Sequence, residues 1–297
     1  MGPSKKELPR LVEVLPAFPP SACRILKLTS DINCPPKEIV RILDQDPPLA
    51  RQLLHLINAP RCGLAEPVVS IRQAVVIVGI NTIKNLALTV APIEMLGRDS
   101  ERTPFLEGQL SHAFAVGLIA RQLARRLGLP GGETHDCFMA GLLHDYGKIV
   151  LHRLFPARYK KALAMAVKKQ RPLHETEREL FKLDHLGVGA LLAEKWELSP
   201  HCALAMGRHH LPDDPESDSP LPDCVHAANI IAKTVGLGAS GNPRIETTLP
   251  ESVARRLDGT LPELIGSLGE IPAEMHKVQL FLNAWNATPA DSTCEPP

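Results

Sequence analysis

The chain has 297 residues, of which 44% are hydrophobic and 22% charged, values typical of a globular protein with a sizeable buried core. Lys and Arg together number 33, as do Asp and Glu, so the formal net charge is zero. This balance excludes a global field that would attract DNA, RNA or an anionic membrane, although a local basic patch stays open.

Aromatic residues make up only 4% of the chain, while prolines number 28. Few aromatics and many short apolar runs favour packed helices, punctuated by proline, over a β-sandwich. The seven cysteines are scattered without a Cys-x-x-Cys pair, which argues against a disulfide framework or a cysteine-rich zinc site. The chain also lacks a signal-peptide pattern and any run approaching the ~20 apolar residues of a membrane span. We therefore expect a cytoplasmic protein.

The first hundred residues predict short helices with clear stop signals. These helices cover residues 21–28, 36–43, 48–57 and 82–96. Between the last two, Ser70 and Gln73 form a capping-box pattern before the apolar run AVVIVG. The valines and isoleucine of this run would also suit a strand, but the cap and the lack of a partner strand favour a helix.

Longer helices follow from Pro104 onwards. We expect them at residues 105–127, 133–154 with an interruption around Gly147, 157–169, 175–180, 185–196, 200–209 and 225–235, with a solvated loop at 211–223. Two weaker helices, at 250–257 and 272–285, precede a tail from Asn286 that has the composition of a disordered segment. The resulting organisation is an N-terminal helical lobe at 1–100, packed against a helical bundle at 101–236, and a C-terminal extension at 237–297.

An adjacent histidine and aspartate, His144 and Asp145, close the strongly apolar run AGLLHDYGK. Burying an imidazole and a carboxylate there is costly unless something compensates both. A divalent cation would do so, with an imidazole nitrogen and a carboxylate oxygen as its ligands. A hydrogen-bonded pair that caps the helix is the alternative for these two residues taken alone.

Further histidines lie on three other predicted helices. His112 lies within SHAFAVGLIA, His185 begins the helix in DHLGVGALLAEKW, and the paired His209 and His210 end ALAMGRHH. Each alone is more typical of a core or capping histidine, but several together are typical of ligands that converge in a helical bundle. We therefore expect one pocket to contain His112, His144, Asp145, His185, His209 and His210.

The order of these residues, H…HD…H…HH, resembles the HD superfamily of metal-dependent phosphohydrolases, and HDYGK, which contains Lys148, resembles its HD-x-G-K motif. The segment PPLARQLLHLINAPRCGLAEPVVSIRQAVVIVGINTIKNLAL, with Asn58, Ser70-Ile71 and Gly79, resembles the narrower HDOD (HD-related output domain) family. So does EREL before DHLGVGALLAEKW, and the resemblance extends over residues 8–236.

The resemblance implies an all-α fold, a multi-helix bundle of the HD-superfamily type with an N-terminal helical lobe. It also implies a divalent metal site, holding one or two ions of Fe, Mn, Zn or Mg. For a bacterial HDOD protein it implies an output or interaction module of signal transduction, whose partners are other signalling proteins.

Two departures from the HD pattern bear on activity. HD hydrolases place an aspartate on a late helix, where HAAN here has Asn229. A neutral amide oxygen is a weaker ligand than a carboxylate, so Asn229 is expected to weaken one metal position. The cyclic-di-GMP phosphodiesterases of the HD-GYP type carry Gly-Tyr-Pro after the paired histidines, and His209-His210 here leads directly into LPDDPES.

A second HD dipeptide, His135-Asp136, begins a polar helix without the Gly-Lys continuation and is interpreted as surface or capping chemistry. The remaining histidines show no partner pattern, although His226 lies one helical turn before Asn229; they are His55, His152, His174, His201, His226 and His276.

Three functions are compatible with these patterns. The first is a signalling module that transmits a state to protein partners. The second is a metal-dependent phosphohydrolase acting on a nucleotide or cyclic dinucleotide, in which Lys148 would stabilise the developing charge. The third, a nucleic-acid-binding regulator, depends only on the basic stretches 121–126 and 160–171, which are more simply solvated helix faces. The first is favoured, and a nucleotide ligand stays open.

Overall fold

The structure is a computed structural model that describes residues 19–29, 35–58, 64, 66–80, 82–84, 86–87, 103–210, 219–269, 271 and 275. These residues are helical or irregular and contain no strand, which confirms the all-α prediction. Their fourteen longer helices are α1 Pro20–Thr29, α2 Pro36–Asp44, α3 Pro47–Ile57, α4 Ile71–Val78, α5 Pro104–Arg126, α6 Gly131–Leu143, α7 Tyr146–Leu154, α8 Pro156–Lys169, α9 Leu173–Phe181, α10 His185–Lys195, α11 Pro200–Arg208, α12 Leu221–Thr234, α13 Glu251–Arg256 and α14 Leu261–Gly266.

Proline and side-chain caps fix where most of these helices begin. Proline is the first residue of six of them, at Pro20, Pro36, Pro47, Pro104, Pro156 and Pro200. The first turn has no helical acceptor for its N–H groups, so a missing N–H costs least there. Five helices carry a side-chain oxygen that accepts a hydrogen bond from the first turn, supplied by Asp46, Ser70, Thr103, Asp184 and Ser199.

The N-terminal helices α1 to α4 contact one another in sequence, and α2 also contacts α4. The run AVVIV lies in α4, so the helical interpretation is confirmed and the strand alternative is excluded. Ser70 caps this helix through the N–H of Gln73, while the Gln73 side chain accepts from the N–H of Val69 rather than closing the box on Ser70. Asn58 hydrogen-bonds both the N–H and the C=O of Val68 and so holds the approach to α4.

Helices α5 and α6 form the centre of the following bundle, and α12 packs against both. A Cβ placed on Gly141 would lie 2.8 Å from the Cα of Gly117, so the two backbones touch at these glycines. Because a short loop makes the helices antiparallel, His112, five residues before Gly117, and Asp145, four residues after Gly141, lie at the same end of the pair. Helix α10 packs against α7 and α11 and adds the remaining ligand candidates to that end.

Two predicted features are displaced in the structure, and one helix was not predicted. The interruption expected around Gly147 lies at residues 144–145, between α6 and α7. Helix α12 begins at Leu221, whereas residues 211–223 were expected to be loop; Leu221 is fully buried and Pro222 is tolerated in the first turn. Helix α14 was not predicted, although Thr260 and Glu263 form a capping box at its start. Two further predicted helices, at 82–96 and 272–285, lie mostly outside the described residues. The tail from Asn286 lies wholly outside them.

No helix in the described part of the chain combines the length and apolarity that a membrane crossing requires. The division of the chain at residues 100 and 236 stays a prediction. The segment just after residue 236 nevertheless contacts the bundle, since the N–H of Ala239 donates to the carbonyl oxygen of Gly108 at 2.9 Å.

Candidate metal centre

Asp145 lies at the centre of a buried group of polar side chains between α6 and α7. The carboxylate is 2% exposed, and its two oxygens face different neighbours. Two sets of potential ligands share this residue, with the ligand atoms of each set within 4.8 Å of one another: Asp145, His185, His209 and His210, and His112, His144 and Asp145. The structure thus brings together all six residues that the sequence analysis singled out.

The Oδ2 atom of Asp145 faces Lys148, His144 and His112. The ammonium nitrogen of Lys148 lies 2.6 Å from Oδ2, and it also donates to the carbonyl oxygen of Ser240 at 2.9 Å. The Nε2 atoms of His144 and His112 are more distant, at 3.3 and 3.9 Å from Oδ2. A buried cation of the protein itself therefore already neutralises this side of the carboxylate.

The Oδ1 atom of Asp145 faces histidines alone. The Nε2 atoms of His185 and His209 lie 3.4 and 3.5 Å from Oδ1. Oδ1, these two Nε2 atoms and the Nε2 of His210 are all buried and have no hydrogen-bond partner among the described residues. A cluster of unpaired buried polar atoms is costly unless a ligand satisfies them.

Hydrogen bonds on the far side of the rings decide which nitrogens are available. The Nδ1 of His144 lies 2.6 Å from the carbonyl oxygen of Gly141, and the Nδ1 of His209 lies 3.1 Å from that of Met206. A carbonyl oxygen can only accept, so each Nδ1 carries the hydrogen and each Nε2 keeps its lone pair. The Nδ1 of His185 faces a carboxylate oxygen of Glu177 in the same way.

The donors on the Oδ1 side therefore fit a divalent metal ion. Neutral imidazole nitrogens and a carboxylate are ordinary ligands of Zn²⁺, Fe and Mn, and a cation would satisfy lone pairs that otherwise face one another. A cation would also explain why the unprotonated Nε2 atoms of His185 and His209 both face one carboxylate oxygen, an arrangement with no attraction of its own.

His112 differs from His144, His185 and His209 because its Nε2 already has a hydrogen-bond partner. The Nε2 lies 3.0 Å from the side-chain amide of Asn229, and its Nδ1 lies 3.4 Å from the carbonyl oxygen of Leu237. Asn229 is 2% exposed, so this contact is shielded from water. On the Oδ2 side, one imidazole is thus tied to an amide and the carboxylate oxygen is tied to Lys148.

The ionisation of the cluster suits metal ligation at neutral pH. Burial lowers the pKa of His112 to about 3, helped by the neighbouring His144, and burial holds the pKa of His209 well below its usual value. Burial alone would raise the pKa of Asp145, but His144 and Lys148 outweigh it and hold that pKa well below the usual value. At neutral pH Asp145 is therefore a carboxylate and the rings of His112 and His209 are neutral, so neither of these two rings carries an imidazolium proton.

Glu177, on α9, is the first residue of the EREL segment that carries the family resemblance, but the sequence analysis gave it no role at the site. Its carboxylate is completely buried and accepts hydrogen bonds from the backbone N–H and the Nδ1 of His185, at 2.9 and 2.5 Å. The hydroxyl of Tyr159 donates to the other oxygen at 3.0 Å. Burial would raise the pKa of Glu177, but His185 lowers it below its usual value. The eight-residue separation from His185 gave no helical spacing from which to predict the contact.

Two histidines for which no partner pattern was recognised lie against the cluster. The ring of His174 stacks on that of His210, with centroids 4.8 Å apart. The Nδ1 of His226 lies 2.7 Å from the carbonyl oxygen of His209. His226 has helical spacing to Asn229 as its only sequence signal. His174 lies on α9, far from His210 in the sequence, so only the fold brings these two rings together.

The second HD dipeptide belongs to neither set of potential metal ligands among the described residues. His135 and Asp136 are both partly exposed in the first half of α6. Asp136 accepts a hydrogen bond from the hydroxyl of Ser199 at 2.6 Å, which ties α6 to the start of α11. This contact agrees with the surface role expected for the pair.

Residues 15–212 match the family model of the HDOD domain. An uncharacterized protein of Treponema pallidum (strain Nichols) is 27% identical over 220 residues, which make up 74% of this chain and 42% of that protein. The chain thus spans less than half the length of this relative.

Solved structures share the fold. An HDOD domain protein of unknown function from Geobacter sulfurreducens superimposes with a TM-score of 0.67 at 22% identity, covering 92% of this chain and 98% of that one. A protein from Marinobacter aquaeolei VT8, assigned to signal transduction, gives a TM-score of 0.66 at 22% identity, covering 93% of this chain and 61% of that one. At this identity the likeness establishes the architecture alone.

Proposed function

Since the chain belongs to the HDOD family, we propose that it is an output module of signal transduction whose buried centre binds one divalent metal ion on the Oδ1 side of Asp145. The ligands would be Asp145, His185, His209 and His210. The ion would join α7, α10 and the end of α11, and so brace the surface that the module presents to protein partners.

The observation that carries this proposal is the asymmetry of the Asp145 carboxylate. Oδ1 has no hydrogen-bond partner among the described residues and faces unpaired imidazole nitrogens, whereas Oδ2 lies 2.6 Å from the ammonium of Lys148. A second cation beside Oδ2 would have to displace Lys148 and also detach His112 from Asn229. The Nε2 of His144 is unpaired on this side as well, but because a metal would have to break both of those contacts, we expect the Oδ2 side to bind metal weakly.

The ligand types favour particular ions. Three imidazoles and one carboxylate suit Zn²⁺ or Fe²⁺, since imidazole is a good ligand for both. Mg²⁺ prefers oxygen ligands and keeps several waters, so a centre with three nitrogens is a poor site for it. We therefore propose Zn²⁺ or Fe²⁺ as the resident ion, with Mn²⁺ next.

The second candidate function is a metal-dependent phosphohydrolase. The observation in its favour is that both ligand sets share Asp145, the arrangement that a bridging carboxylate in a two-metal site requires. A pair of bound ions would supply Lewis-acid stabilisation and an activated water. Asn229 makes the phosphohydrolase less favoured, because its neutral amide supplies no negative charge to the second ion.

The test combines metal analysis with a turnover assay. Protein stripped with chelator is dialysed against Zn²⁺, Fe²⁺ or Mn²⁺, and bound metal is counted by inductively coupled plasma mass spectrometry. We expect one ion per chain for the natural sequence and far less for Asp145→Asn, which removes the ligand charge. His135→Gln, in the other HD dipeptide, is the matched control and keeps the full complement.

The same metal-loaded samples are assayed against cyclic dinucleotides and simple phosphate esters. We expect no turnover above the buffer rate. Two ions per chain together with robust turnover that disappears in Asp145→Ala would reject the output module in favour of the hydrolase. Absence of any metal from the natural sequence would reject the metal centre itself.

A further inference from the structure

We propose that Glu177 is a positioning residue, which together with Tyr159 fixes the tautomer of His185 and turns its Nε2 lone pair toward the metal position. This inference rests on the proposed function for the identity of the ligand that the lone pair serves. The tautomer itself is a property of the protein without metal.

The contacts show how Glu177 holds the ring. One carboxylate oxygen receives both the backbone N–H and the Nδ1–H of His185, while the other receives the hydroxyl of Tyr159. Glu177, Tyr159 and His185 are all 0% exposed, so no water competes for these hydrogen bonds. Backbone and ring of one residue are thereby fixed to one oxygen, which leaves the ring little freedom to rotate.

The position of His185 in its helix explains why a carboxylate from elsewhere is needed. His144 and His209 follow α6 and α11, so each ring reaches back to a carbonyl oxygen three residues earlier, in its own helix. His185 is the first residue of α10 and has no preceding helical turn to supply such an acceptor. Glu177, on α9, provides the acceptor that the other two rings find locally.

A carboxylate does more than a carbonyl would. A negatively charged acceptor on Nδ1–H increases the electron density on the ring and makes Nε2 a stronger metal ligand. Removing such a partner typically lowers metal affinity by about 10- to 100-fold. Glu177 is itself stabilised by three donors, which offsets much of the cost of burying its charge.

Because α7 and α10 are closely packed, the position of His185 relative to Asp145 is tightly constrained. A Cβ placed on Gly147 would lie 2.2 Å from the carbonyl oxygen of His185, so this glycine allows α7 to touch the first turn of α10. His185 is therefore held from one side by Glu177 and faces the backbone of α7 on the other. Its Nε2 lies 3.4 Å from Asp145 Oδ1 as a result.

The experiment compares Glu177→Gln and Glu177→Leu with the natural sequence in two measurements. The first is long-range ¹H–¹⁵N NMR of histidine-labelled, metal-free protein, with the His185 signals assigned by their loss in His185→Gln. We expect an Nδ1–H tautomer in the natural sequence and also in Glu177→Gln, whose amide oxygen can still accept from Nδ1–H. In Glu177→Leu, which removes the acceptor, we expect a mixture of tautomers. The second is a competition titration with Zn²⁺, in which Glu177→Gln should bind about 10- to 100-fold more weakly.

Glu179→Gln is the matched control, because Glu179 lies on the same helix but is exposed and pairs with Lys169. It should change neither the tautomer nor the affinity. Tyr159→Phe keeps the carboxylate and removes one donor, so it should weaken Zn²⁺ binding less than Glu177→Gln does. Should Glu177→Leu fail to fold, the Zn²⁺ affinity of the isosteric Glu177→Gln decides instead.

The two measurements separate the possible failures. An unchanged Nδ1–H tautomer in a folded Glu177→Leu would overturn the positioning role. So would a Zn²⁺ affinity of Glu177→Gln within about twofold of the natural sequence, since the expected loss is about 10-fold or more. Failure of the natural sequence to bind Zn²⁺, Fe²⁺ or Mn²⁺ would instead overturn the proposed function. In that case the tautomer measurement still decides what Glu177 does.

Discussion

Replacing Asn229 with aspartate should strengthen metal binding on the Oδ2 side of Asp145 and should destabilise the metal-free protein. The Asn229 amide is 2% exposed and lies 3.0 Å from the Nε2 of His112. A carboxylate at this position would be buried, and the burial that lowers the pKa of His112 to about 3 opposes formation of a compensating imidazolium beside it.

The magnitude follows from that burial. An uncompensated buried charge costs about 3–5 kcal/mol of unfolding free energy. For a domain of this size each 1 kcal/mol corresponds to about 2–4 °C in Tm, so metal-free Asn229→Asp should melt roughly 6–20 °C below the natural sequence. A divalent ion that binds the new carboxylate, present at a free concentration 100 times its Kd, would restore about 2.7 kcal/mol of unfolding free energy.

The assay is thermal unfolding with and without Mn²⁺ or Zn²⁺, together with a count of bound metal. Asn229→Asp should lose stability without metal, regain most of it with metal, and bind a second ion per chain. Asn229→Ala is the control, because it removes the amide without adding charge, and it should gain no second ion. Equal metal-free stability of Asn229→Asp and the natural sequence, with the same metal count, would refute the view that Asn229 sets this asymmetry.

Two further predictions concern packing and pH. Gly147→Ala should cost about 1–3 kcal/mol of stability, because the added Cβ would meet the carbonyl oxygen of His185 at 2.2 Å. Gly132→Ala, whose Cβ would meet nothing within 4 Å, should be neutral by the same thermal melt, and equal effects of the two would contradict the packing argument. In metal-free protein, the lowered pKa of His112 means that between pH 6.5 and about 3 the unfolded chain binds a proton that the folded chain does not. Stability should therefore fall as pH drops through this window, by up to about 1.4 kcal/mol per unit from this residue, and urea unfolding of His112→Gln should show a shallower fall.

The helical fold could be predicted because its signals are local. Proline at first positions, side-chain caps such as Ser70, and apolar residues at helical spacing act within a few residues of one another. Helix boundaries were predicted wrongly where a contact with a residue distant in the sequence decides them. Gly147 looked like a helix interruption, yet it lies inside α7 and serves the close approach of α10, which no local pattern reveals.

The ligand candidates could likewise be named from sequence, since His144, Asp145 and the surrounding histidines stand out by residue type and order. Which of their atoms are free to bind a metal could not be predicted from sequence. Only the tertiary structure decides that Lys148 takes Oδ2 of Asp145, that Asn229 engages His112, and that the Oδ1 side stays open.

The physical reason is that a histidine has two nitrogens and a carboxylate has two oxygens, and the sequence does not say which atom faces which partner. That choice depends on hydrogen bonds of a few ångströms between residues far apart in the chain, such as the 117 positions that separate His112 from Asn229. Sequence thus determined that this chain forms helices carrying a histidine–aspartate centre. The packing of those helices decided which lone pairs remain for a metal.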